Sequence, residues 1–410
     1  MSDHIDPAKL DDLARATVRV GLNLRAGQEL IVSAPIEAVD LVRRVTVEAY
    51  KAGASLVTVF YADPEVTRAR YEHGSDDSFD TAPAWLFEAQ GKAYSAGAAR
   101  LAITGEDPML LADMDPAKVA RASKAMSIAA KPAMIPISNF ETNWNIVAYP
   151  TKGWARQVFP DMEVEEAQGK LMDAIHSASR IEGDAVANWD AHSAELQKRI
   201  DWLNEQNFDA LHYTGPGTDL RLGLAEGHIW KGGASEAQNG ISCQANMPTE
   251  EVFTAPHAYK VDGTVSATMP LAHQGTVIRD ISVRFEAGKI VEASASEGEA
   301  VFKDLLAVDD GASRIGEVAL VPHSSPISQS GILFYNTLFD ENASCHIALG
   351  QSYGENIEGG TTLSPEELKQ KGANQSLIHV DWMIGSNEID IDGITKSGER
   401  VPVMRKGEWA

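Results

Sequence analysis

The rhythm of apolar and polar positions changes near the middle of the chain. In the first half, short apolar runs alternate with segments of helical spacing. "GQELIVSAP" (27–35), "SLVTVFYAD" (55–63) and "ARLAITGED" (99–107) read as strands. Between the first two, "EAVDLVRRVTVEAYKAGA" (37–54) places apolar residues on one helical face and ends near a glycine suited to a C-cap. An Ala- and Lys-rich helix is expected at about 116–131. Strand–helix alternation predicts a parallel sheet with helices packed on it. No G-x-G-x-x-G follows the first strand, so this α/β layer carries no dinucleotide fingerprint. Residues 162–206 keep a helical pattern, with Leu196, Ile200 and Leu203 on one stripe, as expected of a packing or connecting helix. After about 207 the spacing shortens, and strands are expected around 276–285, 289–295, 315–322, 344–349 and 377–384. The predicted fold is therefore α/β: an N-terminal α/β domain with a parallel-type sheet (1–190), then a mixed α+β domain (191–410).

Several second-half strands are interrupted by polar residues. In "LIHVDWMIGS" (377–386), His379 and Asp381 are two apart. Side chains alternate along a strand, so these two share a face while Ile378, Val380 and Trp382 take the other. Glu317 in "RIGEVALV" falls in phase with Ala319 and Val321. His346 in "NASCHIALG" lies opposite in phase to Cys345, Ile347 and Leu349. Glu250 and Glu251 stand just before the β-prone "VFT", and the pattern does not choose between them. Tyr353 follows the His346 strand in a glycine-flanked turn.

Taken singly, each has an ordinary structural explanation: a hydrogen-bonded core histidine, a solvated strand-end glutamate, a turn tyrosine. The other histidines, such as His73, His192 and His323, are read that way. Together, two histidines and three carboxylates interrupt apolar β segments of one domain. An unpaired buried charge costs several kcal/mol, and no Lys or Arg lies within these strands to offset it; Arg314 is the nearest basic residue. Metal cations meet the need. Five N/O ligands, with carboxylates able to bridge, suit two divalent ions, and with no Cys recruited the set fits Zn, Co, Mn or Mg.

Composition narrows the class further. Apolar residues make up 44% and charged residues 23% of the 410, with a formal net charge of −24. Such acidity argues against a nucleic-acid or anionic membrane surface. The two cysteines, Cys243 and Cys345, make no disulfide framework, no stretch approaches the roughly 20 apolar residues of a membrane span, and the acidic start is unlike a signal peptide. A cytoplasmic protein is expected.

The segments "NMPTEEVFTAP", "RIGEVALV", "SPI" followed by "LFYNTLFDENASCHIALG", and "HVDWMIGS" resemble the M29 family of metallo-aminopeptidases, the thermophilic aminopeptidase T group. The resemblance covers the C-terminal half in order and extends more weakly forward through "YPTKGWARQVFP". It implies metal ligands at Glu251, Glu317, His346, Tyr353, His379 and Asp381, and so selects Glu251 over Glu250. It also implies a homodimer, and two divalent ions that activate water to remove N-terminal residues from small peptides with a free N-terminus. Glu317 and Tyr353 are the expected catalytic residues: Glu317 or Glu251 as bridge or proton relay, a choice the sequence leaves open, and Tyr353 as ligand or oxyanion donor. The alternatives are another dinuclear metal amidohydrolase, or a metal-binding scaffold without turnover.

Overall fold

The computed structural model describes residues 4–273 and 276–410. They form two compact units: residues up to His192 together with Ala234–Pro248, and Ser193–Gly233 together with Thr249–Ala410.

The first unit is built on a four-stranded, wholly parallel sheet in the order Leu56–Ala62, Glu29–Pro35, Ala99–Thr104, Trp144–Ala148. The three strands expected from the apolar runs are present, and the last, Trp144–Ala148, is short and was not foreseen. Leu30, Val32, Leu101, Ile103 and Val147 pack with Leu41, Val42 and Val45 of the helix Val39–Lys51 into one apolar core. The Ala- and Lys-rich helix runs to Ser138, past the expected end at 131, with Pro132 and Pro136 inside it. Proline removes a backbone donor and normally stops a helix. Here a neighbouring helix supports the irregular stretch: Gly91 of Ala84–Ser95 lies so close that a Cβ there would stand 2.2 Å from the Pro132 carbonyl oxygen.

Among the described residues, the second unit holds two large antiparallel sheets and a two-stranded one, Leu271–His273 with Thr276–Ile278. One has eight strands, running from Lys289–Ser294 at one edge to Glu408–Trp409 at the other. The other has five, in the order His379–Met383, His346–Gly350, Ile315–Leu320, Val252–Thr254, Lys231–Gly232. The sheets share a core: Val318, Leu320, Ile347, Leu349 and Trp382 of the five-stranded sheet join Leu211, Tyr213, Leu220, Leu222 and Val261 of the larger one. Leu196, Ile200 and Leu203 complete that core, as the helical stripe predicted. The strand expected over 276–285 is two, Thr276–Ile278 and Ser282–Glu286, separated at Asp280, whose φ of 51° is incompatible with an extended backbone. The strand expected from 377 begins at His379, and Leu377 is exposed. Among the described residues, no helix is long and apolar enough to cross a membrane.

Candidate metal centre

The five-stranded sheet has an apolar face, buried in the shared core, and a polar one. Strand register decides which residues meet on the polar face. Glu317 pairs with Ala348, which pairs with Asp381, giving one row across three strands. The next row is Phe253, Ala319, His346 and Met383. On the other side of the first row, His379 pairs with Gly350. Directly paired residues project to the same side, so Glu317, His346, His379 and Asp381 share a face. Glu251 precedes Phe253 by two and is in phase with it. The bulge between Ile315 and Glu317 adjusts the register.

Small residues stand between the ligands on this face. Ala348 lies between the Glu317 and Asp381 side chains, and Ala319 lies beside His346. Gly350 is required on two counts: its φ is 102°, and a Cβ would stand 2.1 Å from the Ile378 carbonyl oxygen.

The side chains gather into two groups with one member in common. Glu251, Glu317 and His346 bring ligand atoms within 4.8 Å of one another, and so do Glu317, His379 and Asp381. Glu317 turns Oε1 to His346 Nε2 at 3.8 Å and Oε2 to His379 Nε2 at 3.8 Å. His346 Nε2 is 3.0 Å from Glu251 Oε2, and His379 Nε2 is 3.5 Å from Asp381 Oδ1. On the other ring nitrogens, His346 Nδ1 faces the Ser344 carbonyl at 3.2 Å and His379 Nδ1 faces the Gln351 carbonyl at 2.8 Å. A carbonyl accepts only, so each Nδ1 carries the proton and donates it. In the neutral ring, that leaves Nε2 with its lone pair aimed into the cluster, the arrangement of metal-ligating histidines.

The fit to a cation rests on unpaired buried atoms. Glu251 Oε2, His346 Nε2 and Asp381 Oδ1 are all buried with no hydrogen-bond partner; the 3.0 Å approach of the first two lacks hydrogen-bond geometry. The ion-pair contacts of Glu251, Glu317 and Asp381 are to histidines alone. Burial raises the Glu317 pKa. Burial works to lower the histidines, but Glu251 and Glu317 hold His346 well above its ordinary value, and Asp381 and Glu317 push His379 up to about 9. Burial likewise opposes ionisation of Asp381, yet His379 holds it below the usual carboxylate value. The pocket demands positive charge, and a divalent cation on these N and O donors meets that demand in place of protons on the imidazoles.

Tyr353 adjoins the cluster, its ring 4.7 Å from that of His379 and tilted 42°. Burial, with Glu317 and Asp381 nearby, raises its phenol well above the ordinary value. Glu250 is also buried, but its main-chain N–H donates to Asn342 Oδ1 at 2.7 Å and its side chain is in neither group. Arg314, the nearest basic residue in sequence, is turned away: its guanidinium lies 4.6 Å over the Tyr259 ring, and Nη1 donates to the Ala258 carbonyl.

Sequence reasoning passed over two acidic residues. Glu341, in the short turn Glu341–Ala343, is driven well above the ordinary carboxylate value by burial and by Glu251 and Asp381. Glu355 is pushed up to about 7, chiefly by burial, while Lys231 opposes the shift and Glu317 adds to it. Both lie in irregular segments, where no strand phase marks a residue as facing inward.

Comparison with known proteins places the whole chain in one family. Residues 6–409 match the family described as thermophilic metalloprotease (M29). The chain is 51% identical over 401 residues to aminopeptidase T of Thermus thermophilus, covering 98% of each. It is 44% identical over 403 residues to aminopeptidase 2 of Geobacillus stearothermophilus, again covering 98% of each. The solved structure of wild-type AmpT from Thermus thermophilus superposes with a TM-score of 0.93 at 51% identity, covering 98% of this chain and 99% of that one. The chain belongs to the M29 family of metalloproteases.

Proposed function

We propose that the protein is a metal-dependent aminopeptidase that removes N-terminal residues from peptides, and that it does so with two divalent ions per chain. The observation that carries the number is the sharing of Glu317 between two ligand groups, one oxygen toward each histidine. Glu251 and His346 would hold one ion, His379 and Asp381 the other, and Glu317 both, with Tyr353 at the His379 side. The N/O donor set suits Zn, Co, Mn or Mg. Bound there, such ions supply a Lewis acid for the scissile carbonyl and a water of lowered pKa.

The chain's own groups do the rest. The two Nδ1–H bonds to main-chain carbonyls lock the imidazole orientations, so the site is preorganised rather than assembled on binding. Tyr353, whose ring lies 4.7 Å from that of His379, would offer an O–H to the oxygen that becomes negative when the carbonyl is attacked. The surplus of buried carboxylate holds the substrate's α-amino group, which only a free N-terminus places beside the first peptide bond. A homodimer, as the family resemblance implies, and a cytoplasmic setting, as the composition suggests, are expected.

The test pairs two measurements. Metal-saturated protein should contain two ions per chain, and chelation should abolish hydrolysis of Leu-p-nitroanilide, with Co²⁺ or Zn²⁺ restoring it. N-acetyl-Leu-p-nitroanilide should be cleaved at least ~100-fold more slowly, because a buried charge-assisted hydrogen bond worth about 2–3 kcal/mol is lost. Comparable turnover of the capped substrate would make the protein a general amidase. Full activity at one ion per chain would end the dinuclear reading.

A further inference from the structure

One cation stands on the polar face of the metal-site sheet. Lys231 pairs directly with Phe253, which continues through Ala319 to His346 in the same row. Its side chain therefore projects to the side that carries Glu317, His346 and Asp381. Glu251 is two residues from Phe253, so it is a diagonal neighbour of Lys231, with Cα atoms about 7–8 Å apart in such pairs. Lys231 is the sole Lys or Arg in the five strands. It is half-buried, and among the described residues it makes no ion pair at contact distance.

The loop after Tyr353 folds over this edge of the sheet. Asn356 Nδ2 donates to the Phe253 carbonyl at 3.2 Å and the Ile229 carbonyl at 3.4 Å, and the Ile229 N–H donates back to the Asn356 carbonyl at 2.7 Å. His228 and Ile357 form a further bridge. These ties bring Glu355 to a place where it interacts with both Lys231 and Glu317. The register thus puts an ammonium-bearing residue at one end of a face whose other end is a carboxylate-rich centre. A short peptide is also polarised, with an ammonium at one end and a carboxylate at the other. The carboxylate cluster takes the first, as argued above. The second then lies one or two residues beyond the scissile bond, at about 3.5 Å per extended residue, which is the scale of the Glu251–Lys231 separation.

We propose that Lys231 is a specificity residue that receives the free C-terminal carboxylate of di- and tripeptides, a reading that rests on the aminopeptidase function proposed above. The enzyme would therefore favour short free-acid peptides over amides or longer chains of the same N-terminal residue.

The experiment uses full-length, metal-loaded protein and four probes: Leu-Gly, Leu-Gly-Gly and their C-terminal amides. The wild type should cleave the free acid about tenfold better than the amide in kcat/KM at one of the two lengths, expressed mainly in KM, as expected for loss of one charge-assisted hydrogen bond. Lys231→Gln should bring that ratio to about one, and Lys231→Arg should keep most of it. A wild type indifferent to amidation overturns the proposal, as does a Lys231→Gln enzyme that weakens on acid and amide alike. Leu-p-nitroanilide, which has a free amine and no carboxylate, separates this from the parent reading: its cleavage by the wild type, with no acid-over-amide preference, removes the role of Lys231 and leaves the aminopeptidase standing. Failure to cleave it, or any of the four peptides, removes both.

Discussion

Two interior strands of this protein are buried in different ways. Ala99–Thr104 of the parallel sheet alternates buried residues with half-buried ones, and its polar side chains, Arg100 and Thr104, are among the half-buried. Ile315–Leu320 of the metal-site sheet is buried at all six positions, although Glu317 is one of them. The first strand follows the ordinary rule that polar side chains on a sheet keep some solvent. The second breaks it, and the surroundings show why. Glu317 has two histidines within 3.8 Å, and further carboxylates lie close by. A fully buried carboxylate needs hydrogen bonds or a counter-charge: Asp340 is buried too, but main-chain N–H groups satisfy it, whereas Glu317 faces only histidines and other carboxylates, which distinguishes a chemical site from a structural one.

The largest expected effect follows from removing that exception. Glu317→Gln keeps the shape but gives up one charge and the shared pair of ligand oxygens. Leu-p-nitroanilide turnover should fall by at least ~10³-fold, as for loss of a group that positions and activates the nucleophile, and bound metal should fall with it. Circular dichroism should be unchanged. A variant that retains two ions and full activity would mean that the two groups do not share Glu317.

The small residues between the ligands can be tested next. Ala348 stands in the row between Glu317 and Asp381 and is fully buried. Ala348→Leu projects three extra carbons into the place where the ligand atoms converge. Overpacking costs about 1–3 kcal/mol in stability, but metal content should drop far more than that stability loss explains, with activity down at least ~100-fold as the ligand geometry is lost. Normal metal stoichiometry in the folded variant would show that the Ala348 side chain does not border the ligand atoms.

The opposite face supplies the contrast. Trp382, next to Asp381, is fully buried in the core shared by the two sheets, with its ring 6.5 Å from that of Phe302 in an edge-on arrangement. Trp382→Ala should cost about 3–5 kcal/mol of stability, yet the protein still folded at low temperature should bind two ions. Leu101→Ala in the parallel sheet should behave alike at about 2–5 kcal/mol. If Trp382→Ala abolished metal binding while the fold stayed stable, the two faces would not be separable.

How much of this was legible in the sequence depends on how far each inference had to reach along the chain. The alternation of His379 and Asp381 against Val380 and Trp382 is local, and period two suffices to read it. The same holds for Glu317 and His346, and for the parallel sheet of the first unit, whose apolar runs are strong. That these four side chains converge required strand order and register, including a bulge, which no single segment encodes. Lys231 was invisible for the same reason. It lies 20 residues before Glu251, in a two-residue strand that becomes part of the site only by pairing with Val252–Thr254. Glu341 and Glu355 were missed because turns have no phase to read.

The smallest expected effect concerns two adjacent glutamates that the sequence pattern left equal. Both are buried. Glu251 is in phase with Phe253 and approaches His346, whereas Glu250 is tied through its backbone to Asn342, whose own amide donates to the Leu338 carbonyl at 2.9 Å. That network positions the segment from which Glu251 projects. Glu250→Gln leaves the main-chain bond to Asn342 in place, so activity should stay within about threefold of wild type, and any cost should be in stability, on the order of 1 kcal/mol for one altered buried hydrogen bond. Glu251→Gln should instead lose activity by orders of magnitude with the melting temperature little changed, since it removes a charged ligand. Measuring kcat/KM and thermal midpoint for the two variants side by side tests the phase argument. The reverse outcome, damage at Glu250 and tolerance at Glu251, would place the ligand one residue earlier and on the other side of the strand, and the polar face built here would lose its fifth member.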